Sequence, residues 1–451
     1  MTTPGRRVAV IGAGYVGLTT AACLAALGHR VRCADRDADL IGRLRRGQVH
    51  ILEPGLDGLV SEGLAASCLR FDAGSRGAVT DAEAVFLCLP TPAGPGGAPD
   101  VSAVMAVAAE IAGALPPGCA VVVKSTVPPG TAARIAALLG RPDVAVVSNP
   151  EFLREGFAVT DFLNPDRIVV GFDTDTDTDT DAGGVAQRIA SLFARLAAPV
   201  VFTSTASAEL AKYAANCFLA VKLSYINEIA GLCERTGADI SEVTEVLSHD
   251  PRIGASHLQP GPGWGGPCLP KDTWAILHVA SAASSDLGLL RAALAANQRQ
   301  LRIIVDKARL ALGGRLAGSR IALLGLAFKV GTADLRESSA LAIAELLGAE
   351  QARVTGYDPA VHTDVAGVWV ASDPYEAVTG ADAAVLLTEW PEFGMLDWTR
   401  ISGLMAGDTV IDARNQLDPA VLDRAGLRWQ GLGQSSPSHI KWGSRRPGCA
   451  R

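Results

Sequence analysis

Cys268 lies in the run G-G-P-C-L-P-K-D at 265–272, bracketed by prolines and preceded by two glycines. That backbone is stiff and tightly turned, unlike the apolar surroundings of Cys23 and Cys217. Lys271 and Asp272 follow within one turn. A cation favours the thiolate, and a carboxylate can move a proton or orient a water. Cys268 therefore reads as a candidate nucleophile, with a packing thiol as the plainer alternative. A second constellation is G-A-G-Y-V-G at 12–17, between a strand-like run and a helix-like one. Gly12 permits a tight turn, Gly14 lets backbone approach a pyrophosphate, and Gly17 allows close helix–strand packing. Asp35 ends the next strand-like run, where a carboxylate accepts from a ribose diol and repels a 2′-phosphate. The motif predicts dinucleotide binding, with NAD favoured over NADP although Arg36 is adjacent; the alternative is a structural glycine turn.

Two further pairs could act on a reacting oxygen. N-P-E-F-L-R-E at 149–155 places Glu151 and Glu155 at i and i+4 beyond a strand-like run, so helical spacing would put both on one face. A solvated helix start would look the same. Lys212 and Asn216 have the same spacing in a long helical pattern, where a partly buried ammonium could stabilise an oxyanion; a surface lysine is the simpler reading. K-S-T-V-P-P-G at 124–130 follows a strand directly, so its hydroxyls could face a nicotinamide or a water. The seven histidines show no ligand spacing, which predicts no metal site.

The elements that must hold these residues are legible as patterns. Short apolar runs at Val8–Ile11, Val31–Ala34, Ala84–Leu89, Ala120–Lys124, Val144–Val147 and Ile168–Gly171 read as strands buried on both faces, with Ala-rich helical stretches between most of them. A long helix is expected over 203–237, with Glu209 complementing its dipole and Leu210, Tyr213, Cys217, Val221, Tyr225, Ile229 and Leu232 at helical spacing. Roughly 30 helical residues at 1.5 Å each span about 45 Å, enough to tie two domains together or form a subunit interface. A Gly/Pro-rich loop at 260–270 and another helical pattern over about 273–312 follow. The β/α alternation then restarts at Arg320–Leu324, Arg353–Tyr357, Ala383–Thr388 and Thr409–Asp412. The expected fold class is α/β: two doubly wound Rossmann-like domains joined by a long central helix and a small helical domain. The expected boundaries are 1–202, 203–312 and 313–430, with a disordered tail at 431–451. The Asp-Thr repeat at 173–181 reads as a solvated loop; a calcium loop would need a glycine and a final Glu that are missing.

Composition narrows the class. The chain has 451 residues, 49% of them apolar and 19% charged, which excludes a disordered or fibrous chain. Forty Lys and Arg against 47 Asp and Glu give a net charge of −7, so there is no basic excess to grip nucleic acid. The cysteine count is nine, odd and without C-x-x-C, which argues for reduced thiols and a cytoplasmic location. The uncharged run Val8–Gly28 imitates a membrane signal, but Gly12, Gly14 and Gly17 would break a helix in its first half, so no membrane association is expected.

Taken together these segments resemble the UDP-glucose/GDP-mannose dehydrogenase family over about residues 6 to 430. The resemblance rests on GAGYVG at 12–17, LPTP at 89–92, KSTVPPG at 124–130 and NPEFLREG at 149–156. It continues in the helical run at 211–230, DPRIG at 250–254, GWGGPCLPKD at 263–272, GLAFKVGTADLRESSA at 325–340, TEWPEF at 388–393 and DARN at 412–415. It implies a four-electron oxidation of a nucleotide sugar at C6 to a carboxylate, with two NAD⁺ reduced, through a cysteine thiohemiacetal and thioester. UDP-glucose is the favoured substrate; GDP-mannose or another nucleotide hexose is the alternative. By resemblance Cys268 is the nucleophile, Asp272 handles protons and water, Lys212 and Asn216 stabilise the oxyanion, and Glu151 with Thr126 serves thioester hydrolysis. Gly12, Gly14, Tyr15, Val16, Gly17, Asp35, Thr91, Thr126, Glu155 and Lys271 would hold NAD. Glu151, Phe152, Leu153, Lys212, Asn216, Arg252, Gly265, Lys329 and Arg414 would hold the nucleotide sugar. The first domain would then bind the cofactor, the last the UDP-sugar, and the central helix would build a homodimer, with Arg252 reaching across subunits. Trp264 and Ser339 stand where the family usually has Phe and Pro.

Overall fold

The computed structural model describes residues 5–173 and 182–434. Positions 174–181 of the Asp-Thr repeat and 435–451 of the expected tail lie outside them. The chain divides into two compact units, one running to Cys217 and including Lys271–Leu287, the other formed by Phe218–Pro270 and the residues from Gly288 on.

The first unit carries β1 (Arg7–Ile11), β2 (Arg30–Asp35), β3 (Leu69–Ala73), β4 (Ala84–Leu87), β5 (Ala120–Val123), β6 (Ala145–Ser148), β7 (Ile168–Gly171) and β8 (Val200–Thr203). They form one sheet in the order β3-β2-β1-β4-β5-β6-β7-β8, parallel except where β6 meets β7. Continuous apolar runs fit because both faces are covered. Val8, Val10, Phe86 and Val122 pack into one core, while their neighbours Ala9, Ile11, Val85 and Val121 pack into the other. Strand order reverses between β1 and β4, and ligands of open parallel sheets bind beyond the carboxyl ends of strands at such a switch point.

The second unit repeats the arrangement with β9 (Arg320–Leu324), β10 (Arg353–Tyr357), β11 (Trp369–Val370), β12 (Ala383–Leu386), β13 (Thr409–Asp412) and β14 (Arg428–Gln430). Its sheet is β11-β10-β9-β12-β13-β14, with every pair parallel. The turn after β9 mirrors the one after β1. Gly325 has φ +98°, and fully buried Asp358 accepts from the Leu326 and Ala327 amides at 2.8 and 2.9 Å.

Four strands escaped the sequence reading. All four are sheet edges: β3 and β14 are interrupted by polar residues, β8 is a four-residue run with two exposed apolar side chains, and β11 is two residues long. The helical pattern over 273–312 is two helices, Leu269–Ala282 and Gly288–Ala311. They part where Ser284 turns to φ +55°, in a stretch whose serines and aspartate compete for backbone hydrogen bonds. The long helix expected over 203–237 spans Thr205–Thr236, but its buried face matches the expected one only in part. Tyr213 and Cys217 of the expected stripe are buried, but Leu210, Tyr225 and Leu232 are exposed, and Glu209, Lys212 and Asn216 are buried in their place. Glu209, Lys212 and Asn216 can occupy that face because each finds a partner there. The tail expected from Gly431 is packed at its start: Leu432 is buried and its carbonyl accepts from the Asn415 side chain at 2.8 Å. No helix among the described residues is long and apolar enough to cross a membrane.

Candidate active site

The glycine turn after β1 is built for close approach. Gly12 has φ +100°, and a Cβ there would overlap the Cys88 carbonyl oxygen. A Cβ on Gly17 would overlap the Gly12 carbonyl, whereas Gly14 faces open space. Gly14 precedes the helix Tyr15–Ala26 and supplies no side-chain cap, so the helix's first amides remain available to an anion. Asp35 stands over the turn, accepting from the Ala13 amide at 2.8 Å and the Asp37 amide at 3.0 Å. Thr91, after β4, is buried and donates to the Thr126 carbonyl at 2.8 Å, joining LPTP to KSTVPPG. These groups fit a dinucleotide: a pyrophosphate over Gly14, a ribose at Asp35, and a nicotinamide toward Thr91 and Thr126. Gly17→Ala is expected to destabilise the protein by about 1–3 kcal/mol and weaken dinucleotide affinity, read by thermal unfolding and titration; parental behaviour in both would show that the close packing is dispensable.

Tyr15 reveals a partner that the sequence did not. Its hydroxyl donates to Glu53, and the Gly156 amide donates to Tyr15 Oη at 2.6 Å and Glu53 Oε2 at 2.7 Å. Burial, then Glu53, holds the Tyr15 phenol well above its ordinary pKa, with Glu155 adding to the effect. Buried Glu53 thus ties the glycine turn to the NPEFLREG segment.

That segment is irregular chain, not the helix start expected, and helix resumes only at Ala158. Glu151 and Glu155 therefore do not share a helical face. Glu151 is buried and accepts from the Leu153 amide at 2.6 Å, while Glu155 is partly exposed. Lys212 is no surface lysine: at 4% exposure its Nζ lies 3.0 Å from Glu151 Oε1. Burial pushes the Glu151 carboxyl up, but Lys212, the Leu153 amide and Lys124 outweigh it and hold the group below its ordinary value. Lys124 is itself buried, donates to Asn149 Oδ1 at 3.1 Å, and is pushed down by burial. Phe152 lies under two cations, with the Arg167 guanidinium 3.8 Å and Lys212 Nζ 5.4 Å from its ring centre.

One turn beyond Lys212, Asn216 Nδ2 donates to Asp272 Oδ2 at 2.6 Å. The other oxygen of Asp272 takes Lys271 Nζ at 2.6 Å, and the carboxylate is almost fully buried. The first unit therefore brings together two ion pairs, Glu151–Lys212 and Asp272–Lys271, linked by a single turn of helix through Asn216.

The second unit holds Arg252, Gly265, Cys268, Lys329 and Arg414. Cys268 is exposed at the residue before the helix Leu269–Ala282, where the helix dipole attracts negative charge. The buried thiols contrast with it: burial pushes Cys23, Cys88, Cys119 and Cys217 up to about 12. The Cys268 turn is backed closely by the 325–338 loop. A Cβ on Gly265 would overlap the Glu337 carbonyl, and one on Gly266 would meet the Phe328 ring at 2.5 Å. Lys329 Nζ lies 5.6 Å from that same ring. Arg414 pairs with Glu389 at 3.0 Å and donates to the Leu387 carbonyl at 2.8 Å. Arg252 is exposed and paired with Asp250 at 2.6 Å. Trp264 is buried, donating to Ser224 Oγ at 2.8 Å, so it belongs to the packing behind the loop. Ser339 is the first residue of the helix Ser339–Ala349, a position that proline also suits. Among the described residues no group of three or more His, Cys, Asp or Glu is arranged to hold a metal ion.

Residues 6–196 match the NAD binding domain of the UDP-glucose/GDP-mannose dehydrogenase family, 206–299 its central domain and 322–419 its UDP binding domain. The chain belongs to the UDP-glucose/GDP-mannose dehydrogenase family. It is 42% identical to the UDP-glucose 6-dehydrogenase of Pseudomonas aeruginosa over 96% of this chain and 99% of that one. It is also 42% identical to that of Rhizobium meliloti, over 95% and 99%. A solved UDP-glucose dehydrogenase from Pyrobaculum islandicum superposes with a TM-score of 0.85 at 34% identity, covering 96% of this chain and 98% of that one. This dehydrogenase therefore uses NAD and acts on a nucleotide sugar, and the turn after β1 lies within its NAD binding domain.

Proposed function

We propose that this dehydrogenase oxidises UDP-glucose at C6 to UDP-glucuronate in two hydride steps through a covalent intermediate on Cys268. NAD⁺ supplies the hydride acceptor, once per step. The first step converts the alcohol to an aldehyde with loss of a hydride and a proton. The Cys268 thiolate then adds to the carbonyl carbon, and loss of the second hydride leaves a thioester. Water cleaves the C–S bond, releasing the carboxylate and returning the thiol. Lys212 and Asn216 are the donors for oxygen as negative charge collects on it. Asp272 takes and returns protons between Lys271 and Asn216. Glu151, kept ionised beside Lys212, orients the hydrolytic water with Thr126. Phe152, Leu153, Arg252, Gly265, Lys329 and Arg414 bind the nucleotide sugar.

The observation that carries this reading is the buried pairing of Lys212 with Glu151 and of Asn216 with Asp272, on a chain 42% identical to UDP-glucose 6-dehydrogenases over nearly its whole length. The burial of these groups is offset by that pairing, and such buried clusters of ionisable groups concentrate at functional sites. Counting NADH against sugar tests it: two NADH per UDP-glucose is the expected result. One NADH or none, or turnover of GDP-mannose in preference, overturns it.

Three coarser proposals accompany this one. Residues 1–202, 203–312 and 313–430 act as cofactor, central and UDP-sugar parts. The enzyme works in the cytoplasm. It is a homodimer through the long helix, supported by exposed Phe218, Tyr225 and Leu232, which recur every seven residues on one stripe of it.

A further inference from the structure

Glu209 is a buried carboxylate that the reaction above does not use. It belongs to the long helix but serves a different one. Its Oε2 accepts from the Gly130 amide at 2.6 Å, and its Oε1 accepts from the Ala132 amide at 2.8 Å and from Ser148 Oγ at 3.5 Å. Gly130, with φ +92°, opens the helix Thr131–Leu139 and provides no side-chain cap. Glu209 supplies that cap from 79 residues along the chain, so its expected role toward its own helix dipole is not the main one. The clamp joins two working parts. On one side is the KSTVPPG loop, whose other end is pinned by Thr91 at Thr126. On the other is the helical face that presents Lys212 at i+3 and Asn216 at i+7 from Glu209, all of them buried.

We propose that Glu209 is a positioning residue of the oxidation: its carboxylate fixes the distance between the Thr126 loop and the Lys212–Asn216 face. The inference rests on the catalytic reading of those residues. A carboxylate accepts from several amides at once, whereas a protonated carboxyl gives up part of that capacity and introduces a donor facing donors. The clamp is therefore tight when Glu209 is ionised and slack when it is protonated.

The surroundings set where that change falls. Burial pushes Glu209 up, the Ala132, Gly130 and Thr131 amides and Ser148 pull it down, and the balance is about 7. Around it, Lys212 is paired with Glu151. Burial, then Asp272, holds the Tyr213 phenol un-ionised, with Glu209 itself contributing. Arg134 on the capped helix is exposed, and β6 contributes only the Ser148 hydroxyl.

Glu209→Gln in the full-length enzyme, with NADH formation from UDP-glucose and NAD⁺ followed across about pH 6–9, tests the clamp. The expected result is a kcat about tenfold lower at the alkaline end, loss of the limb near neutrality, and a sugar KM changed less than about threefold. Glu209→Asp, which keeps the charge, recovers part of kcat and the limb. A Glu209→Gln enzyme with parental kcat and pH profile overturns the inference. So does a loss of kcat that merely follows the fall in Tm in both variants. Absence of UDP-glucose turnover in the parent overturns the catalytic reading and this inference with it, whereas turnover in the parent with an unaltered variant removes the clamp alone.

Discussion

Cys268→Ala is expected to abolish formation of the acid, lowering two-step turnover by roughly 10⁴-fold or more while leaving the fold intact. The aldehyde stage needs a nucleophile that holds the carbon for the second oxidation, and alanine offers none. The other described thiols do not substitute: Cys23, Cys33, Cys88, Cys119, Cys217 and Cys233 are buried, and the partly buried Cys68 donates to the Gly63 carbonyl at 3.5 Å, inside the cofactor unit. Because the Cys268 side chain is exposed, its removal opens no core cavity, and Tm should move by no more than about 2 °C. Binding of NAD⁺ should persist, since the cradle after β1 is a separate set of residues. Rapid-mixing assays of NADH release, with mass spectrometry for a sugar adduct on the parent enzyme, check the prediction. Full turnover by the alanine variant would make the covalent route wrong.

Removal of Lys212 is expected to damage both catalysis and stability. Lys212→Ala takes away the ammonium proposed to face the oxyanion, which should cost about 10²- to 10³-fold in kcat. It also strands Glu151, a buried carboxylate whose partner stands 3.0 Å away, at a cost of about 3–5 kcal/mol. The pH dependence has a definite sign. In the parent, burial raises Glu151 but Lys212, the Leu153 amide and Lys124 more than offset it, so the folded value lies below the ordinary 4.5. Glu151 then adds stability above the unfolded value, and this is lost as pH falls through the folded one. Without Lys212, burial dominates and the folded value rises above the unfolded one. Stability from that group is then complete only below the unfolded value and declines as pH rises through the new one. The Tm of the variant should therefore fall between about pH 5 and 8 relative to that of the parent. A variant with parental Tm and kcat across that range would show that the pair is ornamental.

The site was partly legible because chemistry leaves local marks. The glycine spacing at 12–17, the prolines around Cys268 and the end-of-strand position of Asp35 each reflect a backbone requirement within a few residues. Lys212 and Asn216 were visible only as a spacing on a helix, and nothing local could say that the helix buries them. The expected apolar stripe was only partly right for the same reason, with Tyr213 and Cys217 buried but Leu210, Tyr225 and Leu232 exposed: periodicity counts apolar residues but does not know which face is covered. Glu151 and Glu155 were wrongly put on one helical face, because an i, i+4 spacing means nothing where the chain is irregular.

Glu53, Lys124 and Glu209 carried no signal that sequence reasoning could weigh as functional. Glutamate and lysine are ordinary surface residues, and each of these is special only through partners far along the chain: Gly156 for Glu53, Asn149 for Lys124, Gly130 and Ala132 for Glu209. By itself, then, the order of residues determined the α/β class and the glycine turn after the first strand and singled out one candidate thiol, since strand burial, tight turns and stiff loops depend on near neighbours. Which carboxylates and lysines are taken out of water, and which pair with which, was decided only by the tertiary structure, because desolvation and charge pairing depend on distance in space rather than along the chain.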